Sequence, residues 1–164
     1  MKHFIALPFL ILISLLFVAC TQPKNPGALV TAGLLDYDLT MVQGSKPEHG
    51  KPLVIEFWAT WCGPCHKLFP HLTELTEDLK GTGIQFVAVT NESFNLTQEF
   101  VRVRQLKYPI AVDIKDLYGR ALNVSYIPFA VIVNANGDIV WSGHSGKLSK
   151  ERIEKALMPK NASS

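Results

Sequence analysis

The chain has 164 residues, of which 48% are apolar and 18% are charged, and its formal net charge is +2 at pH 7. This size and composition indicate one globular domain with some additional sequence. The charge is small and no run of basic residues occurs, so we exclude a nucleic-acid partner. The cysteine count is odd, since Cys62 and Cys65 lie close together and Cys20 stands apart.

The N-terminus has the pattern of an export signal. Lys2 and His3 form a short basic start, and residues 4–18 are an almost unbroken apolar run. That run has the length of a secretory signal and is short for a transmembrane helix. We predict a signal peptide over residues 1–19, which would deliver the domain to an oxidising compartment.

The end of this run, Val18-Ala19-Cys20, resembles the bacterial lipobox, although Phe17 stands where Leu is usual. The resemblance implies a lipoprotein whose Cys20 is lipidated, anchored without spanning the membrane and facing the periplasm in a Gram-negative bacterium. An ordinary cleaved signal with an incidental Cys20 and an uncleaved anchor are the alternatives.

The remaining chain divides into a tether and a folded domain. Residues 20–34 contain Pro23 and Pro26 in a polar setting and are predicted to be the tether. The domain is predicted over residues 35–160, with a disordered tail over 161–164. Within it, residues 35–42 are predicted to form a first strand or an edge hairpin.

Strand and helix patterns alternate from residue 53 onward, which predicts an α/β architecture. Strands are expected where apolar β-prone residues cluster, and helices where apolar residues recur at helical spacing. The strands are expected over residues 53–58, 84–89, 110–113, 129–133 and 139–141. The helices are expected after Pro64 and over residues 94–106, 116–122 and 149–158, the last with Ser149 as its N-cap.

Two cysteines separated by Gly-Pro, in the segment Trp61-Cys62-Gly63-Pro64-Cys65, join the first long strand to a helix. A dithiol/disulfide redox centre requires this arrangement. At a helix N-terminus, backbone N–H groups and the helix dipole stabilise a thiolate. We therefore expect Cys62 to be the exposed attacking sulfur and Cys65 the inward-facing resolving thiol, the two forming a disulfide.

The sequence Trp-Cys-Gly-Pro-Cys, preceded by Phe-Trp-Ala, resembles the active site of the thioredoxin family, and the resemblance covers residues 53–158. It implies a thioredoxin fold, with a central mixed β-sheet flanked by helices. Residues 91–123 are longer than a minimal thioredoxin requires. An added strand and helix here is similar to the exported TlpA-like and ResA-like thiol-disulfide oxidoreductases.

The resemblance also implies roles for further residues. Thioredoxins have a buried Asp at the place of Glu56, which implies that Glu56 accepts the proton of Cys65; a strand-edge glutamate facing water is the alternative. Pro128 matches the cis-proline of the family, with an ordinary trans proline as the alternative. Substrate is expected to contact four residues near the cysteines, namely Trp61, Gly63, Pro64 and Ile127.

These features predict an enzyme that reduces disulfides of extracytoplasmic proteins and receives electrons from a membrane thiol protein. Gly-Pro between the cysteines resembles the reducing members, and a disulfide oxidant or isomerase is the alternative. Leu68 replaces an acidic residue common in ResA-like reductases, which weakens any assignment of their apocytochrome substrate.

Two other classes of function remain open. His66 completes Cys-x-x-Cys-His, the attachment motif of c-type haem, although the motif here joins a strand to a helix. The second is a membrane-tethered interaction domain in which the disulfide is purely structural. The loop between Cys62 and Cys65 is short, however, so closing it would reduce the entropy of the unfolded chain only slightly. No cofactor is expected, and no metal site, because the cysteine pair lacks a second pair to complete a zinc site.

Overall fold

The computed structural model describes residues 39–158. The predicted signal peptide, Cys20, the tether, the start of the predicted first strand and the C-terminal tail lie outside these residues.

One six-stranded sheet forms the centre of the described domain, and its spatial order is β1-β4-β3-β2-β5-β6. Strand β2 lies near the middle, parallel to β3 and antiparallel to β5. Strand β4 runs parallel to β3, whereas β1 and β6 pair antiparallel at the two edges. The strands are β1 Thr40–Gln43, β2 Leu53–Phe57, β3 Gln85–Thr90, β4 Ile110–Val112, β5 Phe129–Val133 and β6 Ile139–His144.

Helices cover both faces of this sheet, as expected for an α/β layer structure. They are α1 Gly63–His66, α2 Phe69–Asp78, α3 Phe94–Arg104, α4 Leu117–Ala121 and α5 Lys150–Leu157, with a 3₁₀ turn at Ser145–Lys147. The predicted mixed sheet flanked by helices is confirmed. The predicted additional strand and helix are confirmed as β4 and α4, which lie between α3 and β5 in the chain.

The helix expected after Pro64 is two helices, because the chain leaves α1 at Lys67 and re-enters helical structure at Phe69. Pro70 lies in the first turn of α2. A proline is tolerated there, since its missing N–H has no partner within the helix. The break leaves α1 as a separate single turn that contains Cys65 and has Cys62 as its N-cap.

The helix expected over residues 94–106 ends at Arg104, because Gln105 has a left-handed backbone with φ of 53°. Leu106 therefore packs into the core from outside the helix. Val103, in the same helix, is 61% exposed and does not contribute to the core. Ser149 is the N-cap of α5, as predicted, and its Oγ accepts from the Arg152 N–H at 3.2 Å.

The sheet separates two apolar clusters. Val54 and Trp58, from β2 and the loop after it, belong to the cluster beneath α1, α2 and α5, which also contains Cys65. Ile55 and Phe57 belong to the cluster on the other face, which contains Tyr118 of α4. Because side chains alternate along a strand, Glu56 points to the same face as Val54 and Trp58.

None of the helices between residues 39 and 158 is long and apolar enough to span a membrane.

Candidate active site

A disulfide joins Cys62 to Cys65 at the start of α1, with a Cα–Cα distance of 5.3 Å. Cys62 is the N-cap of this turn, and its Sγ accepts a hydrogen bond from the Cys65 N–H at 3.2 Å. Pro64 lies in the first turn, where no N–H is needed. When the pair is reduced, the same N–H can stabilise a thiolate on Cys62.

Both cysteines are buried, although Cys62 was expected to be exposed and only Cys65 to face inward. Cys62 is 3% exposed and Cys65 is 1% exposed, so the expectation of an exposed Cys62 is wrong for this oxidised form. Gly63 and Pro64 between them are exposed, and Trp61 is 74% exposed beside them. The residues around the pair are therefore more exposed than the two cysteines.

Glu56 is a buried acid on the central strand, with 1% exposure, and the alternative of a water-facing glutamate is wrong. It lies between Ala88 of β3 and Ala130 of β5, two small residues that leave room for its side chain. Burial raises the pKa of Glu56 to about 8, while a hydrogen bond from Ser145 lowers it in part. At neutral pH this carboxyl is mostly protonated, unlike an ordinary glutamate.

Among the described residues, only one of the two Glu56 carboxyl oxygens has a hydrogen-bond partner. Oε1 accepts from Ser145 Oγ at 3.0 Å. Oε2 is buried and has no hydrogen-bond partner among the described residues. A buried polar atom without a hydrogen bond destabilises the folded protein. Its presence here therefore indicates a functional role and not a stabilising one.

The peptide bond between Ile127 and Pro128 is cis, as the resemblance implies. Pro128 is buried directly before β5, where Phe129 pairs with Phe57 at the end of β2 that leads into the cysteine motif. The proline therefore lies at the same end of the sheet as the disulfide. Ile127 and Trp61 line one cavity of about 350 Å³, together with Tyr126, Asp113 directly after β4 and Gly119 of α4.

Thr60, two residues before Cys62, is held from two sides, and the sequence did not predict these contacts. Glu92, after β3, accepts from the Thr60 N–H at 2.6 Å and from its Oγ1 at 2.7 Å. His66 Nε2 lies 2.9 Å from the Thr60 carbonyl oxygen. A carbonyl only accepts, so this nitrogen of His66 donates.

His66 packs against aromatic side chains. Its ring is half-buried and lies 5.3 Å from each of the rings of Phe69 and Phe100. Nε2 of His66, the nitrogen that a haem iron would bind, is hydrogen-bonded to the Thr60 carbonyl oxygen. The two cysteines to which a haem would be attached are joined in a disulfide. Among residues 39–158, no three His, Cys, Asp or Glu side chains lie close enough together to hold a metal ion.

The sequence profile of the Redoxin family matches residues 25–157. The chain belongs to this family. Among its relatives, the thiol-disulfide oxidoreductase ResA of Geobacillus kaustophilus is 32% identical over 127 residues, which cover 74% of this chain and 72% of that protein. ResA of Bacillus thuringiensis is 28% identical with similar coverage, 74% and 73%.

Solved structures of the same fold agree. StoA from Bacillus subtilis has a TM-score of 0.62 and 20% identity, over 74% of this chain and 96% of that one. A thioredoxin-like protein from Porphyromonas gingivalis has a TM-score of 0.55 and 28% identity, over 72% and 85%. The predicted TlpA-like and ResA-like membership of the thioredoxin superfamily is confirmed. This Redoxin-family protein is a thiol-disulfide oxidoreductase.

Proposed function

We propose that this protein is an exported disulfide reductase, which takes electrons from a membrane thiol protein and passes them to disulfides of extracytoplasmic proteins. The observation that carries the proposal is the Cys62–Cys65 disulfide at the first turn of α1, on the face of the sheet toward which the protonated Glu56 points. The reducing direction is supported by the Gly-Pro pair between the cysteines.

In the reducing step, the Cys62 thiolate attacks one sulfur of the substrate disulfide, and the other substrate sulfur leaves as a thiolate. Cys65 then loses its proton to the ionised form of Glu56 and attacks the Cys62 sulfur. This releases the second substrate thiolate and forms the Cys62–Cys65 disulfide. Two electrons have passed from the dithiol to the substrate, and Glu56 holds the proton.

In the return step, a thiolate of the electron donor attacks Cys62, and Cys65 is the leaving group. Glu56 donates its proton to the departing Cys65 sulfur. A second thiolate of the donor then attacks the donor sulfur of the mixed disulfide, which releases the Cys62 thiolate and leaves the donor as a disulfide. A carboxyl with a pKa of about 8 suits both steps, because it is mostly protonated near pH 7 and yet ionises at modest cost. An exposed glutamate would be ionised at this pH and would have no proton to donate.

The substrate segment is proposed to lie beside the pair, in contact with exposed Trp61, Gly63 and Pro64. The half-buried Ile127, directly before Pro128, is proposed to offer its backbone to the same segment. Trp61 and Ile127 line the same cavity, so one extended peptide can reach both. Extended peptides bind in this way through main-chain hydrogen bonds.

Export and anchoring are proposed from the N-terminus, where the apolar run 4–18 precedes Cys20. A lipid on Cys20 would hold the domain at the outer face of the cytoplasmic membrane or in the periplasm. A structural neighbour from Mycobacterium tuberculosis, with a TM-score of 0.57 and 22% identity, is described as a secreted disulfide oxidoreductase.

Two measurements test the proposal. Equilibration with glutathione and dithiothreitol buffers gives the reduction potential of the pair, and a reductase requires a value near that of thioredoxin, about −270 mV. A value near that of a strong oxidant, about −120 mV, would reverse the proposed direction. Cys65→Ser should trap substrates and donor as mixed disulfides on Cys62, whereas the Cys62→Ser/Cys65→Ser control should trap none.

A further inference from the structure

Ser145 connects two parts of the active site that are far apart in the sequence. It lies in the 3₁₀ turn after β6 and is 0% exposed. Its Oγ donates to Oε1 of Glu56 at 3.0 Å, across 89 residues of sequence. Its backbone N–H donates to the carbonyl of Pro128 at 3.4 Å. One residue therefore contacts both the buried acid and the cis-proline.

The turn that presents Ser145 is held by its own hydrogen bonds. His144 Nδ1 accepts from the Gly146 N–H at 3.0 Å, and the Leu148 N–H donates to the Ser145 carbonyl at 3.0 Å. His71 of α2 lies against the same turn, with Nε2 at 2.9 Å from the Leu148 carbonyl oxygen. The Ser145 hydroxyl is consequently held in position opposite Glu56.

A protonated carboxyl carries its proton on one of its two oxygens. The oxygen that already accepts from a hydroxyl is the carbonyl-type oxygen, so the donation from Ser145 leaves Oε1 without the proton. The proton of Glu56 then resides on Oε2, for which the described residues provide no partner. The orphaned oxygen is thus the one with a proton to transfer.

We propose that Ser145 is a positioning residue of the redox site, which by donating to Oε1 keeps the exchangeable proton of Glu56 on the oxygen that serves Cys65. This inference rests on the proposed proton transfer between Glu56 and Cys65. The Oε2–H bond breaks and an S–H bond forms on Cys65 as the disulfide opens, and the reverse occurs as it closes. When Glu56 ionises, the bond from Ser145 becomes charge-assisted and stabilises the carboxylate.

Other ionisable groups near Glu56 do not replace Ser145 in this role. Cys65 is its proposed partner in proton transfer, and Cys62 is joined to Cys65 in the disulfide. Tyr108, which precedes β4, interacts electrostatically with Glu56, but burial raises its pKa and it stays neutral. His71 and His144 bond the backbone of the Ser145 turn instead of the carboxyl.

The test follows the rate at which dithiothreitol reduces the oxidised full-length chain in detergent, measured by tryptophan fluorescence between pH 5 and 10. Three variants are compared with the wild type: Ser145→Ala, Glu56→Gln and the double variant. Ser149→Ala is the matched control. It also removes the hydroxyl of a nearby serine, but that hydroxyl caps α5 and makes no hydrogen bond to Glu56. If Ser145→Ala does not fold, Ser145→Thr and Ser145→Val replace it, since they share a shape and differ in the hydroxyl.

We expect the titration that depends on Glu56 to move to higher pH by about one unit in Ser145→Ala or Ser145→Val. Ser145→Thr and Ser149→Ala should keep the wild-type midpoint, and Ser145→Ala should have no further effect on the profile of Glu56→Gln. A wild-type midpoint in Ser145→Ala, with a flattened profile in Glu56→Gln, overturns the role of Ser145 alone. An unaltered profile in Glu56→Gln overturns the proposed proton transfer itself.

Discussion

Glu92 holds Thr60 by two hydrogen bonds, one from the backbone N–H and one from the side-chain hydroxyl. The bonds join the loop after β3 to the loop that leads into Cys62. Thr90 Oγ1 also donates to Glu92, at 3.2 Å, so the carboxylate accepts three bonds in total from two residues. The position of the cysteine motif relative to the sheet therefore depends on a residue 30 positions away in sequence from Cys62.

Replacing Glu92 with Ala should destabilise the oxidised protein by about 2 kcal/mol. The change leaves the half-buried Thr60 N–H without its acceptor, and bonds to charged groups are among the stronger ones. Urea denaturation measures the loss. Glu99→Ala is the control, since Glu99 pairs with Arg102 on the exposed surface of α3 and its loss should cost less than about 1 kcal/mol. Equal losses in the two variants would contradict the special role of Glu92.

The stability of the oxidised protein should fall as the pH rises from about 5 to 8. Burial raises the pKa of Glu56 from 4.5 to about 8, so the folded form binds a proton that the unfolded chain has released in this range. Below pH 4.5 Glu56 is protonated in both the folded and the unfolded form, so its burial adds no charge to the folded protein. Above pH 8 the folded protein bears the full free-energy cost of a buried carboxylate. The shift corresponds to as much as about 5 kcal/mol.

Denaturant titrations of the disulfide form at several pH values test this dependence without interference from the thiols. Glu56→Gln should flatten the curve over the same range, because an amide does not titrate there. Glu77→Gln serves as the control, since Glu77 is an exposed residue of α2 paired with Lys80. A wild-type slope that persists in Glu56→Gln would show that another group is responsible.

Gln43 should anchor the edge strand β1. Its Nε2 donates to the carbonyls of Leu106 at 3.0 Å and Tyr108 at 2.8 Å, in the segment between α3 and β4. We expect Gln43→Ala to cost about 1–2 kcal/mol, since two acceptors lose their donor. Amide hydrogen exchange in β1 should also become faster, because edge strands open locally. Gln98→Ala, on the exposed side of α3, should leave both measurements unchanged.

Lipidation of Cys20 stays a prediction, because this residue lies outside the described part of the chain. Expression in a bacterium with labelled palmitate should label the wild type and place it in the membrane fraction. Cys20→Ser should lose the label, while Cys62→Ser should keep it. Labelling that survives in Cys20→Ser, or a wild type without label, would contradict the lipoprotein assignment.

Features set by neighbouring residues were the ones that the sequence could predict. The order of strands and helices followed from apolar spacing, and the Cys62–Cys65 disulfide followed from two cysteines between a strand and a helix. The burial of Glu56 was also foreseeable, because it is the one charged residue from Leu53 to Trp61, where most residues are apolar. Each of these signals lies within a few residues of what it predicts.

The partners of those residues were decided only by tertiary structure. The register of β5 against β2 places Pro128 at the motif end of the sheet, and the turn after β6 brings Ser145 to Glu56. The low exposure of Cys62 likewise depends on what packs around α1. Contacts of this kind join residues 30 to 90 positions apart, where no spacing rule operates, because strand pairing and packing set the distances. By itself, the sequence determined the Cys62–Cys65 disulfide and the fold; the tertiary structure decided which side chains hold the acid and the cysteine loop in place.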